Sequence, residues 1–142
     1  MKSKLIIILA FYLVFVSCSK DDNKLTSGSK LLIGEEYFDK YPSDTFMISK
    51  AEISGDILTI TFSASCCSTE NWVTNLVGSE TILYSDPPQR EIRLSFKNGV
   101  GAVCDMLCGK TVQFDLTPTK LDNTNTIKLN LSGWGSQLIY HY

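Results

Sequence analysis

Histidine is almost missing from this chain: the one copy in 142 residues is His141, the penultimate position. Ser-His-Asp or Cys-His catalysis would have to run through the chain end, where an exposed edge-strand residue is the simpler reading. There is no His-Glu-x-x-His pair, no glycine-rich loop between a strand and a helix, and no dinucleotide fingerprint. The common zinc-hydrolase, nucleotide-binding and hydride-transfer classes are thereby excluded. Positive charge is not in excess, with 13 Lys and Arg against 15 Asp and Glu, so nucleic acid is not an expected partner. Beyond residue 17 no apolar run approaches the length of about 20 residues that a membrane helix needs. Carboxylate pairs such as Glu35 with Glu36, or Asp115 with Asp122, have no spacing that marks glycoside hydrolysis. The chain is expected to be neither an enzyme nor the carrier of a cofactor.

What is present begins at the N-terminus. Lys2 and Lys4 precede an apolar run at 5–16, followed by the small Ser17 and then Cys18. A basic start, a short apolar core and a small residue at the cut are the parts of an export signal. Cysteine just after the cut makes it a lipoprotein signal: Cys18 would take a diacylglycerol, residues 1–17 would be removed as a signal helix, and the new N-terminus would be acylated. Ser19, Lys20, Asp21, Asp22 and Asn23 follow directly. This short acidic segment resembles the signal that sends Bacteroidetes lipoproteins through the outer membrane to the cell surface. The expectation is an outer-membrane protein held by its lipid and displayed outward, with a periplasm-facing orientation as the alternative. Residues 18–30 read as lipidated Cys and polar tether, and 31–142 as one domain. All 15 acidic residues follow Cys18 while Lys2 and Lys4 precede it, so the mature chain is more acidic than the whole-chain charge of −2.

Four further cysteines, Cys66, Cys67, Cys104 and Cys108, form an even set in an oxidising compartment. Four cysteines allow three pairings. A bond between the adjacent Cys66 and Cys67 would be strained, which favours two bridges joining the 66–67 segment to the 104–108 segment. Each would close a loop of about 40 residues and contribute roughly 3–4 kcal/mol by chain entropy. A four-thiolate zinc site is the rival arrangement.

The body of the chain alternates apolar and polar residues with period two. Leu58, Ile60 and Phe62 alternate with Thr59, Thr61 and Ser63; Ile92, Leu94 and Phe96 with Arg93, Ser95 and Lys97; Val112, Phe114 and Leu116 with Thr111, Gln113 and Asp115. Ile127, Leu129 and Leu131 continue the pattern, and Leu138, Tyr140 and Tyr142 share one face of a last strand. Leu31, Leu32 and Ile33 suggest a first short strand, while 35–41 shows no clear pattern. Residues 72–77 and 80–84 read as two separate strands. Ser54-Gly55-Asp56 and Asn98-Gly99 are turn signals, and one helical turn is expected near Asp105, Met106 and Leu107. Seven or eight short strands predict an all-β, disulfide-stapled sandwich of immunoglobulin-like or Greek-key type, with a small barrel as the alternative.

Several segments together resemble an uncharacterised family of bacterial secreted and lipoprotein β domains. They are Ser65-Cys66-Cys67 before an aromatic strand, Pro87-Pro88-Gln89 before Ile92-Arg93-Leu94, Cys104-Asp105, Phe114-Asp115-Leu116-Thr117-Pro118, and the terminal strand with Ile127, Leu129 and Leu131. The resemblance covers 46–142 and implies the β fold and a pairing of Cys67 with Cys104, leaving Cys66 for Cys108. The His that the family often carries after its first Cys is missing here, where Asn71 lies in that region, so no role is carried over from it. The resemblance implies no activity.

Two features suit binding. Gly133-Trp134-Gly135 places an indole between residues with no side chain to shield it, suited to stacking on a sugar or a protein contact; a core Trp beside a bend is the plainer reading. Asp122, Asn123, Thr124 and Asn125 offer oxygens of the kind calcium takes, without calcium-loop spacing. The expected function is a non-catalytic binding or envelope-accessory module for a glycan or a protein, or else a periplasm-facing inhibitor or assembly factor. Tyr84 or Trp72 beside an exposed Trp134 would favour glycan; a long loop at 65–71 would favour inhibition.

Overall fold

Alternation makes the strands, and the apolar half of each alternation makes the core. The computed structural model describes residues 30–41, 43–99 and 104–142. The expected signal peptide, Cys18 and the segment Ser19 to Asn23 lie outside these residues. In chain order the elements are β1 (Lys30–Ile33), α1 (Glu35–Lys40), β2 (Met47–Ser54), β3 (Ile57–Cys66), β4 (Trp72–Leu83), β5 (Gln89–Asn98), β6 (Met106–Asp115), a 3-10 turn (Thr117–Thr119), β7 (Thr126–Leu131) and β8 (Leu138–His141). They form one sheet of order β1-β4-β5-β7-β8 and one of order β2-β3-β6. The two pack face to face as a sandwich, without closing into a barrel.

The core lies between the sheets. Leu58, Ile60 and Phe62 of β3 face Leu76 of β4, Leu94 and Phe96 of β5, and Leu129 of β7, all buried. Phe46, Phe62, Trp72 and Phe96 form an aromatic cluster with ring centroids 4.8–6.0 Å apart. It lies towards the end where Cys66 pairs with Cys108 and Cys67 with Cys104, at Cα separations of 5.8 and 5.2 Å. At the opposite end Tyr140 donates its hydroxyl to Asp56 in the β2–β3 turn. Lys120 pairs with Asp56 at 3.1 Å and lies over the rings of Tyr140 and Tyr142. The Leu121 amide donates to the Tyr142 hydroxyl at 2.9 Å. This cluster fastens the last strand to a turn 84 positions earlier in the chain, and the Tyr140 hydroxyl, then Lys120, hold the Asp56 carboxyl below its ordinary pKa.

Five features differ from the sequence pattern or go beyond it. Residues 35–40 are helical, with no buried residue. The helix is held by long-range contacts: Arg93 donates to the Phe38 and Tyr41 carbonyls and its guanidinium lies over the Phe38 ring. The expected helical turn at 105–107 is instead the start of β6, because Met106 and Leu107 pair with Cys66 and Ser65. The two strands expected at 72–77 and 80–84 are one, β4, with a register irregularity between Gly78 and Ile82. Asn98-Gly99 does not join neighbouring strands, since β5 and β6 belong to different sheets. Gly99 has a different reason to be glycine: its amide donates to the Asn71 carbonyl at 3.1 Å, and a Cβ there would stand 2.5 Å from that oxygen. Finally, β1 runs parallel to β4 and β5 parallel to β7, whereas immunoglobulin-type sheets are antiparallel.

The β4 irregularity has its own fastening. Glu35 Oε1 accepts from the Ser79 hydroxyl (2.7 Å), the Glu80 amide (3.1 Å), and the amide and hydroxyl of Thr81 (3.2 and 3.1 Å). Donation from Ser79, then from the Thr81 backbone, lowers the Glu35 pKa below 4.5. A carboxylate depressed in the folded state stabilises above its unfolded pKa and loses that contribution as pH falls through the folded value. Acidification below pH 4.5 is therefore expected to loosen α1 from β4 before the core opens. Hydrogen exchange of the 35–41 amides should show an acid step that Glu35→Gln abolishes; an identical pH profile in the variant would overturn the assignment.

Candidate functional site

The parallel β5–β7 pair brings Glu91 beside Asn130 and Gln89 beside Lys128 on the face turned away from the core. The β7–β8 connection then folds over the end of this row. Gly133 takes a left-handed φ of +78°, which favours glycine, and the Trp134 amide closes the turn on the Leu131 carbonyl at 3.1 Å. The result is a groove of about 320 Å³ walled by Glu91, Lys128 and Asn130 on the strands and by Ser132, Trp134 and Gln137 on the connection. Part of it is fixed in advance. The Asn130 amide donates to Gln89 Oε1 (3.1 Å), Gln89 donates to the Ser85 hydroxyl (2.9 Å), and Ser85 donates to the Pro87 carbonyl (2.6 Å).

Trp134 is half-buried and packs against the core beside the bend, while one side of it lines the groove. Its indole N–H is screened from solvent and meets no acceptor. The Trp72 indole N–H in the core is unpaired in the same way, each such donor costing about 1–3 kcal/mol. The wall otherwise offers a carboxylate, an ammonium, two amides and the hydroxyls of Ser132 and Ser136. Such a surface can bind a polar chain of hydroxyl or amide groups.

The other sequence-derived candidates lie elsewhere. Trp72 is a core residue, stacked on Phe62 at 5.4 Å. Tyr84 is 97% exposed beyond β4 and does not line the groove, so neither ring joins Trp134. β3 extends to Cys66, which leaves only a short connection before Trp72. The long loop that would favour inhibition is not formed. His141 is exposed, with Nδ1 3.1 Å from the Thr126 hydroxyl across the β7–β8 pair. Asp115 accepts from the Thr117 amide at 2.8 Å, and Asp122 and Asn123 form a turn. Among the described residues no three His, Cys, Asp or Glu side chains come together as a metal site, and no helix is long and apolar enough to cross a membrane.

Sequence reasoning found Trp134 but missed Glu91, Lys128, Asn130 and Gln137. Each is an ordinary polar residue, and they converge only through the parallel pairing of β5 with β7.

Fold and groove together define a two-sheet, disulfide-stapled β domain with a polar cleft on the outer face of its larger sheet. Two solved structures from Bacteroides are similar to it. One is a protein of unknown function, DUF1344, from Bacteroides vulgatus, with TM-score 0.54 and 21% identity over 80% of this chain and 56% of its own. The other is a NigD-like immunity protein from Bacteroides caccae, with TM-score 0.54 and 11% identity over 78% of this chain and 57% of its own. The chain thus spans little more than half the length of either structure, and at these identities the likeness is one of fold. No family model matches the chain, and no curated protein does.

Proposed function

We propose that this protein is a non-catalytic binding module, lipid-anchored through Cys18 in the outer membrane and displayed at the cell surface, whose Trp134 groove takes a glycan. The observation that carries the reading is the groove itself: a polar wall, part of it prearranged, beside the ring of Trp134. Sugars offer what such a wall recognises, an apolar ring face for the indole and hydroxyls for amide and carboxylate partners. The lipoprotein signal and the acidic segment Ser19 to Asn23 support the address.

Tryptophan fluorescence of the folded protein, titrated with envelope and host polysaccharide fragments, should identify a binder. Trp134→Ala is expected to weaken that binding at least tenfold while lowering the melting temperature by only a few degrees. Lower stability with every binding property unchanged would leave Trp134 as a core residue and sink the glycan reading. Protease shaving of intact cells, with a periplasmic protein as leakage control, tests the address separately.

A second reading has one observation in its favour. The fold is shared with a NigD-like immunity protein, and a periplasm-facing inhibitor would use such a scaffold as readily. Protection from shaving, together with capture of an envelope protein through the groove, would favour it.

A further inference from the structure

The sandwich has two unlike ends. β1 pairs with β4 in parallel, Lys30 beside Asn75, so the chain enters the domain at the end where β4 begins. β3 finishes and β6 starts at that same end, and both disulfides lie there. Large apolar side chains crowd its rim: Met106 is 60% exposed and Leu107 70%, at the start of β6; Met47 is 64% exposed, at the start of β2; Val73 is 55% exposed, near the start of β4. Met47 and Leu107 flank β3 on one outer face, opposite Ser63 and Ser65, and Val73 lies on the outer face of the other sheet beside Lys97.

We infer that this end rests on the lipid bilayer, with Met47, Val73, Met106 and Leu107 entering the interfacial layer, and that the opposite end points away from the membrane. The inference rests on the lipid anchor at Cys18. Cys18 and Lys30 are twelve positions apart in the sequence, and a chain of that length reaches at most about 40 Å. The domain is therefore held at high local concentration over the surface, and the rim nearest the tether meets it first. Met47 and Leu107 share one outer face and Val73 lies on the other, so this rim offers apolar side chains on both flanks of the end nearest Lys30. Lys97 is exposed and can meet lipid phosphates, but Lys110 donates to the Trp72 carbonyl, and Asp44, Glu70 and Asp105 belong to the same end, so charge alone would not hold the domain down. The contact is apolar and depends on the tether. The far end carries exposed apolar side chains too, Leu83 and Tyr84, so it is the position of the anchor that selects the near end, and the groove opens on the flank.

The test uses the full chain, processed at Cys18 and reconstituted in phosphatidylethanolamine–phosphatidylglycerol vesicles containing lipids brominated high in the acyl chain. Leu107→Trp reports on the near end and Tyr84→Trp on the far end, each read against the wild-type background of Trp72 and Trp134. Val73→Trp replaces the first reporter should it fail to fold. At least twofold bromine quenching of the near-end Trp is expected, with the far-end Trp unchanged. Vesicle-bound protein whose two ends are quenched equally, or not at all, overturns the inference and leaves the anchor intact. Failure of the anchor shows earlier, as a Cys18 without diacylglycerol mass and a chain that does not float with vesicles, and the inference falls with it.

Discussion

Removing both disulfides at once, as Cys66→Ala, Cys67→Ser, Cys104→Ser and Cys108→Ser, is expected to cost about 6 kcal/mol, whereas losing either bridge alone costs about 2 kcal/mol. The bridges are nested, spanning 42 and 37 positions. Once one has closed the long loop, the other constrains only the few residues between the paired ends. Each is thus partly redundant while its partner stands, and the double loss exceeds the sum of the single losses. A loss of that size is comparable with the whole stability of a domain, about 5–15 kcal/mol. The single-bridge variants should stay folded, melting roughly 5–10 °C lower, and the four-site variant should be largely unfolded at 37 °C. Ala at 66 keeps the comparison clean, because Cys66 is fully buried. Thermal melts without reductant decide the matter: a four-site variant no less stable than the two single losses predict by addition would overturn the nested account.

Phe62→Ala is expected to be the most damaging single substitution, at about 3–5 kcal/mol. Phe62 is fully buried and touches each of the other aromatic rings of its cluster: Trp72 at 5.4 Å, Phe96 at 5.2 Å and Phe46 at 5.7 Å. Truncation leaves a cavity at their junction and also removes paired-ring contacts of about 0.5–1.5 kcal/mol each. The neighbours belong to β4, β5 and the segment before β2, so no single element can collapse into the space. Near-UV circular dichroism should report the loosened Trp72, and urea unfolding should show a lower midpoint with an unchanged slope. A loss below about 1 kcal/mol would mean that the cluster repacks freely.

Much of this architecture was legible where one face of a strand is buried and the other wet. Leu58, Ile60 and Phe62, then Val112, Phe114 and Leu116, then Ile127, Leu129 and Leu131, all fall in the core as their alternation requires. What escaped notice depends on contacts between distant residues. α1 has only weak local marks, Glu35 and Glu36 in its first turn and Lys40 in its last, and its helicity comes from Arg93 and from the β4 irregularity that Glu35 caps. β4 looked like two strands because Gly78 and Ser79 interrupt its alternation, although both are buried. The parallel pairings leave no period in the sequence, so the groove built on one of them was illegible as well. Trp134 stood out for its flanking glycines alone.

The parallel register of β1 also sets how the molecule bears load. A pull on the chain ahead of Lys30 runs along the axis of β1, and β4 holds β1 through four residue pairs in parallel register. Those contacts are loaded in shear and must yield together, whereas a hairpin pulled from its open end unzips one pair at a time. Beyond β1, Glu35 and Arg93 tie α1 to β4 and β5, so tension on this edge strand is passed on to its inner neighbours. A four-residue strand thus serves as a mechanical clutch between the chain ahead of Lys30 and the larger sheet.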